Sequence, residues 1–198
     1  MGRIQEIQNS EEFVSKVRPD LLKNIEYWHP YYVLVNNLKS FLVYKAIKLD
    51  LINTQTVAWV DFGYVRNMDT LNNVKTWRYQ FNPNRIHLFT IKRKYELNSI
   101  DNVHHAIFNN IAFIIGGVIV GAKENWKTFF KNMLSTQRVL FKENMMDDDQ
   151  GVYLLNLFNN KYLYELHYLG KDKWFHLFKK FDETSKVSLK ERIKDFFI

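Results

Sequence analysis

Three short stretches of this chain carry side chains that could act together on a phosphorylated ligand. They are residues 59–64 (Trp-Val-Asp-Phe-Gly-Tyr), 147–151 (Asp-Asp-Asp-Gln-Gly) and 167–174 (His-Tyr-Leu-Gly-Lys-Asp-Lys-Trp), and each lies where an apolar segment begins or ends. Their carboxylate, imidazole and ammonium groups form a ligand set for a divalent cation and a diphosphate. None of the stretches defines such a site alone, so the prediction depends on the fold bringing them together.

Asp61 follows residues 56–60 (Thr-Val-Ala-Trp-Val), whose composition predicts a buried strand. In open α/β sheets ligands lie beyond the carboxyl ends of strands, so this carboxylate is well placed to hold a cation between two phosphates. Aspartate is also common where a turn begins, and Gly63 follows two positions later. A turn and a cation site are therefore alternative interpretations of Asp61.

Asp147, Asp148 and Asp149 crowd three negative charges before the apolar helix predicted at residues 152–158. The helix dipole favours an anion there by roughly 0.3–1 kcal/mol each. Three adjacent carboxylates exceed what capping requires, and their repulsion is costly unless a cation or an ammonium group lies nearby. Gln150 adds an amide that can donate and accept hydrogen bonds. The group is either a solvated helix cap or the edge of an active site.

His167 ends the strand predicted at residues 162–167, and Gly170 and Lys173 follow in the next loop. A neutral imidazole can bind a transition-type cation such as Mn²⁺. The ammonium of Lys173 could stabilise the charge that develops on a departing diphosphate. A lone histidine followed by lysines is otherwise typical of an ordinary surface loop.

The order of the segments predicts one domain over residues 1–198, of α/β class, with a mixed, mainly parallel sheet flanked by helices. Paired glycines at 116–117 are predicted to separate two strands, because adjacent glycines cost ~2 kcal/mol inside a helix. Residues 31–35 favour a strand, although similar runs occur in buried helices. The other predicted strands are 56–60, 85–91, 111–115, 118–121 and 162–167, and the predicted helices are 37–51, 99–109, 126–141, 152–158 and a basic amphipathic helix at 186–198.

The bulk composition limits the partners. The net charge of +7 favours an anionic partner, either nucleic acid, an anionic membrane surface or a phosphorylated donor. The basic residues are dispersed and match no nucleic-acid-binding motif, so nucleic acid is unlikely. The absence of cysteine excludes disulfides. The start of the chain lacks a signal-peptide core, and the most apolar run, 111–121, is shorter than the ~20 residues that span a bilayer. We therefore expect a cytoplasmic protein, with peripheral attachment to the inner membrane as an open alternative.

Taken in order, these stretches resemble the GT-A glycosyltransferases, especially the retaining glycogenin and bacterial lipooligosaccharide galactosyltransferase group. That group has a strand ending in Asp-x-Asp, a small-residue strand followed by a helix with Trp, an Asp-Gln pair and a His-x-x-Gly-x-x-Lys-Pro-Trp loop. The matching residues here are 60–63, 115–118 with Trp126, 149–150 and 167–174.

A closer resemblance is to the bacterial HtrL/YibB family, also called WlaTC-like. It rests on residues 26–30 (Glu-Tyr-Trp-His-Pro), 35–40 (Val-Asn-Asn-Leu-Lys-Ser) and 59–66 (Trp-Val-Asp-Phe-Gly-Tyr-Val-Arg), and it covers most of residues 20–180. The resemblance implies a role in the synthesis of lipopolysaccharide, lipooligosaccharide or another surface glycan.

Together the two resemblances imply transfer of a sugar from a nucleotide-sugar donor to a saccharide acceptor, with Mn²⁺ or Mg²⁺ on the diphosphate. The implied metal ligands are Asp61, Asp149 and His167. The other implied site residues are Lys173, Gly170 and Trp174 for the cofactor, Gly116, Gly117, Trp59 and Tyr64 for the substrate, and Asp148, Asp149 and Gln150 for catalysis. Retention at the anomeric carbon follows only from the resemblance, since Asp148 or Asp149 could equally serve an inverting enzyme as the base.

Two departures from the GT-A pattern qualify these implications. Gly63 stands where the pattern has its second aspartate. Little of the chain precedes Asp61, whereas GT-A domains begin with a strand-helix-strand unit that holds the nucleoside, so the chain looks N-terminally truncated by this comparison.

The alternative function is a non-catalytic module that binds a partner or an anionic membrane, the latter through 186–198. A two-metal phosphohydrolase would need more closely spaced aspartates and histidines than the chain offers.

Overall fold

The computed structural model describes residues 2–183, which form a four-stranded mixed sheet with flanking helices. The strands are β1 (Thr56–Val60), β2 (Ile86–Thr90), β3 (Ile114–Ala122) and β4 (Tyr164–Tyr168), in the order β1-β3-β2-β4 across the sheet. β3 runs antiparallel to β1 and to β2, whereas β2 and β4 are parallel. The predicted α/β class is confirmed. The expectation of a mainly parallel sheet is wrong, because β3 opposes both of its neighbours.

The glycines at 116–117 lie inside β3 and do not separate two strands as predicted. The pairing with β2 is irregular at this point, since Leu88 faces Ile119 while Thr90 faces Ile114. Two steps along β2 thus correspond to five along β3, and the extra residues of β3 bulge out of the ladder. The bulge lets one strand continue through the glycines.

The N-terminal part is helical. Residues 31–35 form part of a helix, because Pro30 occupies its first position and the His29 imidazole accepts a hydrogen bond from the Tyr32 amide at 3.3 Å. The next helix begins at Lys39 and ends at Lys48, so it is shorter at both ends than predicted. The four helices here are α1 (Gly2–Gln8), α2 (Glu11–Lys16), α3 (Pro30–Asn37) and α4 (Lys39–Lys48).

Three of the remaining helices correspond to the predicted ones at 99–109, 126–141 and 152–158, whereas the short helices at 68–71 and 177–180 were not predicted. Ser99 and Asn102 form a capping box at the start of the first long one. The longest buries one apolar face that includes Trp126, Phe129 and Met133, as its spacing predicts. The helices are α5 (Met68–Leu71), α6 (Ile100–Phe108), α7 (Asn125–Lys142), α8 (Gln150–Asn159) and α9 (Leu177–Lys180).

Both faces of the sheet are covered by apolar side chains. Ile86 and Leu88 of β2 contribute to the cluster shared with α6, α7 and α8, whereas Phe89 points to the other cluster, as the two-residue period of a strand requires. The second cluster contains Tyr64 from the segment after β1 and Phe178 from α9. Since the segments after β1 and β4 both belong to this second cluster, apolar packing joins them across the sheet.

Within residues 2–183, no helix combines the length and the apolar character needed to cross a lipid bilayer. The amphipathic helix predicted at 186–198 lies outside the described residues.

Candidate active site

Several of the predicted segments meet at one cavity of about 320 Å³. Asp61 directly follows β1, and its backbone N–H donates to the carbonyl oxygen of Gly117 in β3 at 2.9 Å. Asp149 is the residue immediately before α8. The predicted site residues that line the cavity are Asp61, Tyr64, Gly116, Gly117, Asp148, Asp149, Gln150 and Trp174.

A buried lysine joins these segments. Lys39, the first residue of α4, is only 4% exposed. Its Nζ donates to Oδ2 of Asp149 at 2.5 Å, to Oδ2 of Asp61 at 3.1 Å and to the carbonyl oxygen of Gly116 at 3.0 Å. The three N–H groups of an ammonium are thus matched by three acceptors, which satisfies a buried charge in full. Lys39 therefore supplies the cation that the crowded carboxylates require.

The glycine pair allows the strand and the carboxylates to lie this close together. A Cβ atom at Gly116 would overlap the carboxylate of Asp149. A Cβ atom at Gly117 would lie 3.0 Å from the Tyr64 ring. Gly116 is therefore required by the position of Asp149, and its backbone carbonyl becomes part of the cavity.

Burial controls the protonation of the acidic residues. Burial, aided by the Asp148 charge and opposed by Lys39, raises the pKa of Asp149 to about 7. Burial also raises the pKa of Asp148, and it raises that of Asp147 well above the ordinary value. Burial alone would lower the pKa of Lys39, but the charges and hydrogen bonds of Asp149 and Asp61 outweigh it, so this pKa is raised. The ammonium accordingly stays charged, whereas Asp149 titrates near neutral pH.

Asp147 and Asp148 also hold the start of α8 in place. Asp147 Oδ2 accepts from the Gly151 N–H at 2.6 Å, and Asp148 Oδ1 accepts from the Gln150 N–H at 3.2 Å. Helix capping and the acidic site, which the sequence offered as alternatives, therefore share Asp148, which also lines the cavity. The Gln150 Oε1 atom is buried and has no hydrogen-bond partner among the described residues.

Aromatic and basic side chains form the rim of the cavity. The Tyr64 hydroxyl donates to the carbonyl oxygen of Trp174 at 2.8 Å, which fixes the loop after β4 against the segment after β1. Arg66 and Phe175 also line the cavity, and the Arg66 guanidinium lies 5.2 Å from the Phe175 ring centroid. The rim thus combines a cation with flat apolar surfaces.

Trp59 lies beside the cavity and does not line it. Its Nε1–H donates to Oδ1 of Asp61 at 2.6 Å, so one carboxylate oxygen contacts the indole while the other contacts Lys39. Trp59 was predicted to contact the substrate, whereas its observed contact orients Asp61.

His167 does not line the cavity that contains Asp61 and Asp149, so the structure does not bring the three predicted metal ligands together. Its Nε2 atom lies 2.8 Å from Nδ1 of His87, and it lines a second cavity that shares no lining residue with the acidic one. Burial, with the charges of His87 and Lys180, lowers the pKa of His167 to about 3. The position of His167 inside β4 directs its side chain to a different part of the molecule.

Gly170 and Lys173 do not line the acidic cavity either. They form a turn in which Gly170 adopts a φ of 122° and the Lys173 N–H donates to the Gly170 carbonyl oxygen at 3.1 Å. The Lys173 side chain is exposed. Of the three residues predicted to contact the cofactor, Trp174 alone lines this cavity.

Sequence reasoning missed Lys39 and Arg66. Both lie inside stretches that carry the family resemblance, 35–40 and 59–66. The repulsion among three adjacent aspartates indicated that an ammonium must lie nearby, but a separation of 110 residues along the chain gave no means of locating it.

The fold and the site define a mixed α/β protein in which a buried lysine holds two carboxylates at the edge of a cavity. The chain belongs to the HtrL/YibB family, since residues 2–183 match the family described as "Bacterial protein of unknown function (HtrL_YibB)". It is 42% identical to Protein HtrL of Escherichia coli strain K12 over 195 residues, which cover 98% of this chain and 68% of that protein. No solved structure matches the chain. The family predicted from the motifs is thereby confirmed.

Proposed function

We propose that the acidic cavity binds the sugar of a nucleotide-sugar donor and transfers it to a saccharide acceptor. The observation that supports this function best is the convergence of Asp61, Gly116 and Asp149, which the GT-A resemblance implied from three distant stretches. Carboxylates and backbone carbonyls are suitable acceptors for sugar hydroxyls, and Gln150 adds a buried acceptor without a partner among the described residues.

The size of the cavity indicates which part of the donor it holds. Ligand cavities are typically about 300–1,000 Å³, and a volume of about 320 Å³ is near the lower limit. We infer that one sugar ring occupies the acidic interior. The diphosphate then lies at the rim, where Arg66 can neutralise it and where Trp174 and Phe175 offer flat surfaces.

The two inner carboxylates have different environments and therefore different proposed roles. Asp149 is 2% exposed and bonded to Lys39, so it positions the ammonium. Asp148 is half-buried and lines the cavity, which leaves it to face the substrate.

In our proposal Asp148 accepts the proton of the acceptor hydroxyl while that oxygen bonds to the anomeric carbon. The bond from that carbon to the phosphate oxygen breaks, and the diphosphate leaves with the electron pair. Burial raises the pKa of Asp148, as suits a base.

The hydrogen bonds of Lys39 determine whether the predicted Mn²⁺ or Mg²⁺ can reach these carboxylates. Its ammonium engages one oxygen of Asp61 and one of Asp149, and Trp59 engages the other oxygen of Asp61. These residues therefore do not form a vacant carboxylate cage for a divalent ion, and a metal would have to displace the lysine. For this reason the step described above passes through no metal, and a divalent cofactor remains a prediction.

The function can be tested by incubating the purified chain with UDP- and GDP-sugars, each with Mn²⁺, with Mg²⁺ and with EDTA. We expect release of the nucleotide, and a rise in melting temperature with the correct donor. Asp148→Asn should lower turnover at least tenfold while donor binding persists, and Asp101→Asn, on the exposed start of α6, should have no effect. Donor binding without turnover would favour the non-catalytic module. The proposal is contradicted if donor binding and turnover are both absent, and are also absent in a version of the chain extended upstream.

A further inference from the structure

The second cavity, of about 930 Å³, lies beside β4 and contains two potential metal ligands, Glu165 and His167. Buried His87 lies behind them. The His87 Nδ1 atom, the His167 Nε2 atom and a carboxylate oxygen of Glu165 all lie within 4.8 Å of one another. The three residues form a cluster of the composition that binds transition metals.

Strand pairing places this cluster on one face of the sheet. β2 and β4 are parallel, with His87 opposite Glu165 and Phe89 opposite His167. Residues two apart in a strand share a face, so Glu165 and His167 point the same way and His87 projects beside them. The backbone therefore sets the three side chains together, independently of loop conformation.

The hydrogen bonds of His87 prepare one of its nitrogens for a metal. Nε2 lies 2.9 Å from the carbonyl oxygen of Asn82, which can only accept, so Nε2 carries the hydrogen. In the neutral ring Nδ1 then presents its lone pair towards His167, 2.8 Å away. Metal-binding histidines characteristically donate their second N–H to a backbone carbonyl in this way, which fixes the tautomer and the ring orientation.

The distances require only small movements to accommodate an ion. Ligands in a tetrahedral zinc site with bonds of 2.0–2.1 Å lie about 3.3 Å apart. The two ring nitrogens are 2.8 Å apart, and the nearest carboxylate oxygens of Glu165 are 3.9 Å from His87 and 3.8 Å from His167. The rings would separate by about half an ångström and the carboxylate would approach by a similar amount. Glu165 is 43% exposed and therefore has room to move.

We propose that His87, Glu165 and His167 bind a divalent transition metal of the zinc class, with a fourth coordination position open to the 930 Å³ cavity. Two imidazoles and one carboxylate favour such a metal over Mg²⁺ or Ca²⁺, which prefer oxygen ligands. Three protein ligands and an open position are typical of a site where the metal binds water or a substrate. The site is separate from the acidic cavity and does not depend on the function proposed for it.

The experiment uses the full chain after treatment with EDTA. Zn²⁺ is titrated by calorimetry, and Co²⁺ is titrated while the visible absorption of a four-coordinate site is recorded. We expect one equivalent of each metal to bind. Glu165→Gln and His167→Gln should each weaken Zn²⁺ binding at least tenfold and remove the Co²⁺ absorption. The His167 side chain is only 12% exposed, so its replacement could prevent folding; in that case Glu165→Gln alone tests the proposal.

Two matched controls separate this site from casual binding. Glu96→Gln changes an exposed carboxylate on the rim of the same cavity, and His105→Gln changes an exposed histidine of α6. Both should bind Zn²⁺ like the unmodified chain. The proposal is overturned if no stoichiometric Zn²⁺ binding occurs, or if Glu165→Gln binds as tightly as the controls. In that event the histidines are a hydrogen-bonded structural pair.

Discussion

Replacing Lys39 by methionine tests the central electrostatic feature of the acidic cavity. The change keeps much of the apolar stem and removes the ammonium that bonds Asp61 and Asp149. Removing one partner of a buried ion pair typically costs about 3–5 kcal/mol, because the other charge is left without compensation. We expect Lys39→Met to lower the free energy of unfolding by about this amount at pH 8.

The loss in the free energy of unfolding caused by Lys39→Met should depend on pH in a defined direction. The pKa of Asp149 is about 7 in the folded protein, above its unfolded value of about 4, so the folded state holds this proton more tightly. Stability from this group is therefore greatest at low pH and falls as the pH rises towards the folded pKa. Without Lys39 that pKa rises further, and the fall continues to higher pH. At pH 5 Asp149 is protonated in both proteins, so the loss should shrink to about 1–2 kcal/mol of hydrogen bonding.

The assay is urea unfolding at pH 5, 7 and 8 of the unmodified chain, Lys39→Met and Lys131→Met. Lys131 is an exposed residue of α7, and its replacement should change stability by no more than about 0.5 kcal/mol. A loss for Lys39→Met that is the same at every pH, or that matches the control, would refute the argument that this lysine neutralises a buried carboxylate.

Two further substitutions test the geometry around the cavity. Gly116→Ala places a methyl group against the Asp149 carboxylate and should destabilise the chain by about 1–3 kcal/mol in urea unfolding. The control, Gly63→Ala, has nothing within 4 Å of the new methyl group and should be close to neutral. Equal effects of the two substitutions would contradict the close approach of Asp149 to Gly116. Trp59→Phe keeps a ring but removes the N–H that donates to Asp61, so we expect a loss of about 1 kcal/mol in urea unfolding, and an unchanged stability would contradict the hydrogen bond.

The acidic residues could be predicted because each lies directly beside an apolar segment of the sequence. Asp61 directly follows an apolar strand, and Asp149 precedes an apolar helix, so each could be assigned to the end of an element. Gly116 was marked by its unusual pairing with a second glycine. What could not be predicted was Lys39, because an ordinary lysine in a helical segment carries no sign that it is 4% exposed.

His167 shows where motif spacing fails. The histidine was correctly predicted to belong to a strand, and β4 extends one residue beyond it to Tyr168. Side chains alternate between the two faces of a strand, and the motif spacing did not show which face of the sheet the imidazole would occupy. The predicted strand directions were wrong because the order of strands and helices did not show that β3 runs antiparallel to β1 and β2.

The ammonium of Lys39 links the first turn of α4 to the carboxylates after β1 and before α8. Any ligand that takes one of those carboxylate oxygens must therefore withdraw a partner from the beginning of a helix. Amide hydrogen exchange in the following turn, beginning with the Leu42 N–H that donates to Leu38, then becomes a reporter of cavity occupancy. A screen for natural ligands could read this signal without knowing the reaction in advance.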